Sequence, residues 1–185
     1  MNDRLDKLIQ GDNQTWQDLY AEISPGLFRF LLSRLGDEGA AQDLLQEGFY
    51  RLAKNLRQIK DARAIRAWIY STCYRLSVDW QRRNKVYRTE ELPSLEDPEA
   101  VDPAAAAVQR EESQAVLQAV LSLSDPHRTV ILLRIWGGLS YREISEITGV
   151  SEGTLRSQYY WAVRKLRSIF KNHDSGLWKD VTANE

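Results

Sequence analysis

The sequence contains few of the residues on which disulfides and metal centres depend. Among its 185 residues there is one cysteine, Cys73, so an internal disulfide and a thiolate cluster for zinc are both excluded. The two histidines, His127 and His173, offer little for metal chemistry, and no metal or other cofactor is expected. A phosphate-cradling glycine-rich motif is also missing, and neither histidine has an evident nucleophile beside it. An enzyme is therefore the weakest hypothesis.

Long apolar runs are missing as well. None approaches the roughly 20 residues that a membrane span needs, and the first residues lack the apolar stretch of a signal peptide. These absences predict a cytoplasmic protein without membrane insertion.

Charge is present in quantity but is unevenly distributed. The net charge is -1, yet residues 54–88 hold ten basic residues and only two acids, Asp61 and Asp79. Residues 91–113 carry one basic residue against seven acids, and residues 114–172 carry eight against four. Two basic regions on either side of an acidic stretch suggest two contacts with one polyanion, although an ordinary solvated surface explains the charges equally well.

The acidic stretch also divides the chain. Residues 90–102 read EELPSLEDPEAVD, with clustered acids and prolines and no apolar period, which is typical of a linker. Helical apolar spacing on both sides, without alternating runs, predicts an all-α protein of two small helical domains joined by a flexible acidic linker. The predicted division is a first domain at 1–89, the linker at 90–113, a second domain at 114–172 and a C-terminal tail at 173–185.

Helices are predicted from the apolar period and from start and stop signals. They lie near 3–10, 15–35, 40–56, 64–85, 111–122, 126–136, 140–148 and 151–170.

The most informative segment runs from Leu139 to Arg156. Ser140 and Glu143 have the spacing of a capping box, which predicts the start of a helix. Gly149 stands where that helix must turn, and Ser151 offers a second N-cap. Apolar residues at suitable spacing then predict a helix-turn-helix, whose second helix usually enters the DNA major groove. The alternative is a plain helical hairpin with a capped turn.

On that second helix, an outward face remains after the apolar residues are assigned to the core. Arg156 is a candidate for reading a guanine edge, and Thr154 and Ser157 are candidates for contacts with phosphate or a base. Tyr160 shares this face, whereas Tyr159 is expected in the core.

A second candidate surface is the helix at 64–85, which interleaves aromatic and basic residues. Positive charge follows a phosphate backbone and aromatic faces stack exposed bases, so this pattern suits melted DNA. The pattern comprises Trp68, Tyr70, Tyr74, Arg75, Trp80, Arg82 and Arg83. Trp68 lies on the apolar stripe and is expected in the core, and the arginines also fit an ordinary solvated face.

Together these passages resemble the sigma-70 family, in particular its small extracytoplasmic-function (ECF) group. Residues 41–52, AQDLLQEGFYRL, resemble region 2.2 of the family, and residues 65–70 with 78–83 resemble regions 2.3 and 2.4. Residues 130–134 and 138–167 resemble region 4. The resemblance covers about residues 12–88 and 114–170. The chain departs from the family pattern at Gln42-Asp43, at Tyr74-Arg75, and at Gln158, Tyr160 and Trp161.

The resemblance implies an alternative sigma factor, with core RNA polymerase (clamp and flap regions) and promoter DNA as partners. Contacts with core polymerase are assigned to Asp43, Gln46, Glu47, Tyr50 and Arg51. Contacts with the minus-ten element fall on Asn55, Lys60, Arg63, Tyr74, Arg75, Arg82 and Arg83. Contacts with the minus-thirty-five element are assigned to Thr154, Arg156, Ser157 and Tyr160.

Two other functions remain open at this point. A helix-turn-helix regulator would bind duplex DNA without polymerase, and a degenerate sigma factor would act only as an interaction protein. A further hypothesis is that core polymerase binding separates the two domains and frees their DNA surfaces. Apolar residues on both domains leave an anti-sigma factor open as a further partner. The sequence does not determine whether the free protein is compact or extended.

Overall fold

A computed structural model describes residues 3–84, 115–116 and 118–170. Within these ranges the chain forms helices and turns with no strand, which confirms the all-α prediction. The predicted acidic linker at 90–113 and the predicted tail at 173–185 lie outside the described residues. No helix in the described ranges is both long and apolar enough to cross a bilayer.

The N-terminal bundle consists of helices α1 (Asp3–Gln10), α2 (Asn13–Leu35), α3 (Glu38–Asn55) and α4 (Ala64–Asn84). A short 3-10 turn, Leu56–Gln58, follows α3. Asp12 and Asp37 cap the starts of α2 and α3 by accepting hydrogen bonds from backbone N–H groups of the first turn. These local signals explain why the predicted helix bounds lie within two residues of the observed ones.

The core of this bundle lies where α2, α3 and α4 pack against one another. Phe30 on α2 and Tyr70 on α4 are fully buried, with ring centroids 5.8 Å apart. One turn further along α4, the Cys73 thiol lies against Gly48 of α3, and burial raises its pKa to about 12. A thiol with this pKa stays protonated, so Cys73 is an apolar packing residue here.

The C-terminal bundle consists of α5 (Asp125–Ile131), a π-helical turn (Leu132–Trp136), α6 (Tyr141–Thr148) and α7 (Glu152–Phe170). Helical residues at 118–121 precede α5. The sequence predicted one continuous helix at 126–136, whereas the structure widens its second half into the π-helical turn. The Gly137 N–H donates to the Leu132 carbonyl at 3.0 Å, five residues back, which defines this wider turn.

The two bundles pack against each other, which resolves the question of compact or extended form that the sequence left open. The Tyr70 hydroxyl of α4 donates to the Trp136 carbonyl of the π-helical turn at 3.1 Å. Arg128 of α5 donates to the Ser33 carbonyl of α2 at 3.0 Å. Buried residues of both bundles form one continuous apolar cluster.

Candidate nucleic-acid interface

The helix-turn-helix forms from the local signals that predicted it. The Ser140 hydroxyl accepts from the Glu143 N–H at 3.2 Å, and the Glu143 carboxylate accepts from the Ser140 N–H at 2.8 Å. Gly149 ends α6 with φ 74°, a left-handed conformation that side chains disfavour. Ser151 then accepts from the Thr154 N–H at 3.2 Å and caps α7. The predicted helix-turn-helix is therefore confirmed.

The second helix, α7, divides into a buried side and an exposed side as its apolar period predicted. The buried side comprises Leu155, Tyr159, Ala162, Val163, Leu166 and Phe170. Thr154, Arg156, Ser157 and Tyr160, the residues predicted to contact duplex DNA, are all exposed. The first turns of α7 therefore present donors, a cation and an aromatic ring on one face.

Arg156 is held in place by two neighbours. Its guanidinium donates to the Glu152 carboxylate at 2.8 Å and lies 5.3 Å from the centre of the Tyr141 ring. Because 59% of the Arg156 side chain is exposed, its pair with Glu152 is a surface contact that contributes at most about 1 kcal/mol to stability. A base edge with two acceptors can therefore compete for this arginine.

Trp161 and Arg164 extend the exposed face of α7 and were not among the predicted contact residues. Trp161 is 53% exposed and packs edge-on against Tyr160, with ring centroids 5.5 Å apart. The Arg164 guanidinium lies 5.3 Å from the Trp161 ring centre. The helical period of the sequence could have identified both residues, because positions 154, 157, 161 and 164 follow one another along the same face.

Three of the residues predicted to contact the minus-ten element lie at the end of α3 and in its connection to α4; these are Asn55, Lys60 and Arg63. The Asn55 amide donates to the Arg51 carbonyl at 2.8 Å and so gives a hydrogen-bond partner to a backbone carbonyl at the end of α3. Arg63 forms a bidentate pair with Asp61, and these hydrogen bonds lower the pKa of the Asp61 carboxyl. Lys60 and Arg63 are both exposed. The connection between α3 and α4 thus carries two exposed cations.

The structure shows that one prediction about the aromatic residues of α4 was wrong. Tyr70, which the sequence grouped with possible base-stacking rings, is fully buried, and burial raises the pKa of its hydroxyl. It is therefore a neutral structural donor that no base can reach. Trp68 and Trp80 are half-buried against the core, as is Tyr74, whose ring lies 4.7 Å from the Arg34 guanidinium. The aromatic residues of α4 therefore pack against the core, and Tyr70 also joins the two bundles.

The arginines of α4 that were predicted to contact DNA are exposed, unlike its aromatic residues. Arg75, Arg82 and Arg83 are exposed, so the basic character of this helix is presented to solvent. Arg82 pairs with Asp79 at 3.2 Å, with 76% of the arginine side chain exposed. The pair leaves the guanidinium accessible to a phosphate.

The residues predicted to bind polymerase form the outer face of α3. Asp43, Gln46, Tyr50 and Arg51 are exposed, and Glu47 pairs with Arg51 at 2.7 Å. Tyr50 is 54% exposed, with the Lys54 ammonium 4.3 Å from its ring centre. An apolar groove of about 550 Å³ adjoins this face, lined by Trp16, Gln17, Tyr20, Phe49 and Ala53. An exposed tyrosine with charged neighbours is typical of a protein-binding surface.

Potential metal ligands do not cluster in the described ranges. No three His, Cys, Asp or Glu side chains in residues 3–84, 115–116 and 118–170 come together as a site for an ion.

Two family models match this chain, one over each bundle. The family model described as Sigma-70 region 2 matches residues 19–86, and that described as Sigma-70, region 4 matches residues 113–166. The ECF RNA polymerase sigma factor SigL of Mycobacterium tuberculosis is 33% identical over 156 residues, 80% of this chain and 85% of SigL. RNA polymerase sigma factor YlaC of Bacillus subtilis is 27% identical over 169 residues, 90% of this chain and 91% of YlaC.

Solved structures with the same fold include the sigma factor RpoE in complex with the anti-sigma factor NepR from Bartonella quintana. Its TM-score is 0.64 at 19% identity, covering 86% of this chain and 98% of RpoE. CnrH in complex with the cytosolic domain of CnrY gives a TM-score of 0.61 at 20% identity, covering 94% and 98%. The two family matches in order, together with the identity to SigL over most of both chains, show that this chain belongs to the ECF group of the sigma-70 family and is an alternative sigma factor that directs RNA polymerase to promoters.

Proposed function

We propose that the N-terminal bundle of this sigma factor binds core polymerase and opens the minus-ten element, while the C-terminal bundle reads the minus-thirty-five element as duplex. The observation that supports this division most strongly is the exposed face of α7. A doubly capped helix-turn-helix presents Thr154, Arg156, Ser157 and Tyr160 together at the start of its second helix. The arrangement fits a major groove, and the exposed arginines of α4 fit a phosphate backbone.

At the minus-thirty-five element, the proposed roles differ among the four residues. Arg156 exchanges its pair with Glu152 for a guanine edge, which offers two acceptors to a guanidinium. The hydroxyl groups of Thr154 and Ser157 bind phosphate or a base edge. Tyr160 lies about one turn further along α7, where its ring contacts the wall of the groove.

At the minus-ten element, the turn between α3 and α4 is proposed to hold a flipped base with Asn55, Lys60 and Arg63. Base flipping costs a few kcal/mol, which stacking and hydrogen bonds in a pocket offset. The exposed arginines of α4 then follow the displaced strand; these are Arg75, Arg82 and Arg83. Tyr74 takes part only after it leaves the Arg34 guanidinium, because its ring is half-buried in the free protein.

Core polymerase is proposed to bind the outer face of α3 through Asp43, Gln46, Glu47, Tyr50 and Arg51. Tyr50→Ala is expected to weaken core binding about 30-fold, because an exposed tyrosine at the centre of an interface typically contributes about 2 kcal/mol. Binding of labelled protein to purified core polymerase measures this change. Val78→Ala, which removes an exposed apolar side chain from α4, serves as the control. Equal affinities for the two variants would remove Tyr50 from the interface.

Two further properties follow from the proposed activity. A protein that recruits polymerase to promoters works beside the chromosome, so we place it in the cytoplasm and assign it no catalytic step of its own. RpoE, a sigma factor of this fold, was solved with the anti-sigma factor NepR. A partner of that class is proposed here too, on the exposed aromatic surfaces of the chain.

The test of the proposed function is transcription of fragmented genomic DNA with purified core polymerase, with and without this protein. Discrete new start sites that share two upstream motifs are expected only when the protein is present. Specific duplex binding without core, and no new starts, would instead indicate a conventional helix-turn-helix regulator. Core binding without new starts would indicate an interaction protein that no longer initiates transcription.

A further inference from the structure

Arg156 of α7 is held by side chains from both helices of the helix-turn-helix. Its guanidinium donates to the Glu152 carboxylate of α7 at 2.8 Å. The same guanidinium lies 5.3 Å from the centre of the Tyr141 ring, which belongs to α6. A carboxylate and an aromatic face both attract a guanidinium, and together they restrict the rotamers that a free surface arginine would sample. Arg156 therefore has a preferred position before any DNA is bound.

The Tyr141 ring is itself fixed by several contacts. It is half-buried and packs edge-on against the buried Tyr159 ring of α7, with ring centroids 6.1 Å apart. The Arg134 guanidinium of the π-helical turn lies 5.2 Å from the centre of the same ring and donates to the Leu139 carbonyl at 3.0 Å. The ring that contacts Arg156 is thus placed by tertiary packing within the C-terminal bundle.

The Glu152 carboxylate affects which acceptor can bind Arg156. It lies four residues before Arg156 on α7, and 40% of its side chain is exposed. A phosphate that binds Arg156 comes close to this carboxylate, and the two negative charges repel each other. A guanine edge instead offers two neutral acceptors, N7 and O6, to the guanidinium. The carboxylate therefore penalises a phosphate contact more than it penalises a base contact.

We propose that Glu152 and Tyr141 make Arg156 select a guanine edge over a phosphate. Glu152 is the specificity-determining residue, because its charge excludes phosphate, and Tyr141 is a positioning residue that orients the guanidinium. The inference rests on the proposed reading of the minus-thirty-five element by α7. Its consequence is a weaker affinity for DNA of any sequence and a larger ratio between the correct and the altered element.

Glu152→Gln is the sharpest test, because the amide keeps the size of the side chain and removes its charge. The full chain is assembled with core polymerase, and its binding is compared on a mapped promoter and on the same duplex with 7-deazaguanine in the minus-thirty-five element. The modified base lacks N7, one of the two acceptors for arginine. Glu152→Gln is expected to bind the modified duplex more tightly than wild type does and to lose about fivefold in discrimination, the effect of one surface charge interaction.

Glu146→Gln is the matched control for the charge. Glu146 pairs with Arg142 at 3.2 Å with the same four-residue spacing, but it lies on the first helix of the motif. Both variants change the net charge equally, so both change the general attraction to DNA in the same direction. Discrimination between the two duplexes is expected to stay at the wild-type value in Glu146→Gln.

Two variants test the positioning role of Tyr141. Tyr141→Leu removes the ring and is expected to lower discrimination about threefold, whereas Tyr141→Phe keeps the ring and restores it. In the Arg156→Ala background, Tyr141→Leu is expected to change discrimination no further, because the group that it positions is gone. A purely structural role would weaken binding in both backgrounds and leave the ratio between the two duplexes unchanged.

The position of Arg156 is measured separately in the free full chain, from the NMR signal of its Nε–H group. The ring current of Tyr141 shifts this signal, so Tyr141→Leu is expected to move it and Tyr141→Phe to leave it in place. An identical signal in wild type and Tyr141→Leu would overturn the positioning role. Thermal unfolding is measured for each variant, and if Tyr141→Leu is unfolded, the signal and the discrimination of Glu152→Gln decide.

Two results of the binding experiment would overturn the specificity role of Glu152. One is wild-type discrimination in Glu152→Gln. The other is a weaker affinity of Glu152→Gln for both duplexes, which would make Glu152 a direct contact. Transcription from the mapped promoter separates this inference from the proposed function. Absence of specific starts with the wild type would contradict both, whereas specific starts with unchanged discrimination in the variants would contradict the inference alone.

Discussion

Arg156→Ala is expected to reduce discrimination between the correct and the altered minus-thirty-five element by about 1–3 kcal/mol, or roughly 5- to 150-fold. The reason is geometric: Arg156 is exposed at the start of α7 and is held by Glu152 at 2.8 Å, so its guanidinium is already oriented along the outer face. Alanine preserves the helix and removes both donors to the base. Transcription from promoters that differ at single minus-thirty-five positions measures the effect.

The control for this prediction is Arg142→Ala on α6. Arg142 pairs with Glu146 four residues away at 3.2 Å, just as Arg156 pairs with Glu152, and it is 82% exposed. It therefore carries the same charge in the same kind of surface pair but lies on the first helix of the motif. If both variants lost affinity equally for every sequence, Arg156 would be a phosphate contact and would not read a base.

Gly48→Ala is expected to be among the most destabilising single-methyl changes in the protein. A Cβ at Gly48 would overlap the Cys73 sulfur, inside the core between α3 and α4. Overpacking a well-filled core costs typically about 1–3 kcal/mol, and a direct overlap of this kind favours the upper end. The gain of about 1 kcal/mol from replacing a helical glycine offsets only part of that cost. Thermal or denaturant unfolding measures the loss.

A double mutant separates overpacking from other causes. Cys73→Ala removes the sulfur that the new methyl group meets, so Gly48→Ala is expected to cost clearly less in the Cys73→Ala background than in the wild type. Gly39→Ala, near the exposed start of the same helix, is expected to be neutral or mildly stabilising. An unchanged cost of Gly48→Ala in both backgrounds would show that the sulfur is not the obstacle.

The sequence predicted the helix-turn-helix in detail because its signals act over short distances. The Ser140 and Glu143 side chains, the Gly149 turn and the Ser151 cap all make their contacts within about four residues. The apolar period of α7 likewise assigned its buried and exposed sides correctly. The contact roles given to Arg156 and its neighbours remain predictions, because they depend on a nucleic acid and not on the chain alone.

Tyr70 shows where the same reasoning failed. Its neighbours along α4 are aromatic and basic, which suggested a surface for stacked bases. Its burial is decided by Phe30 and by the Trp136 carbonyl, which comes from a residue 66 positions away. A period of 3.6 residues identifies one apolar face, but it does not reveal that a second bundle will cover another face of the same helix.

The sequence by itself determined the all-α fold, the helix bounds to within a few residues, the capped helix-turn-helix and the resemblance to sigma factors. These properties follow from hydrogen bonds and side-chain periods that are local along the chain. Only the tertiary structure decided that the bundles close on each other through Gly26, Tyr70 and Trp136, and that Arg34 and Arg128 bridge them. The hydrogen bonds between the bundles join residues 66 to 95 positions apart, and their geometry depends on how whole helices pack.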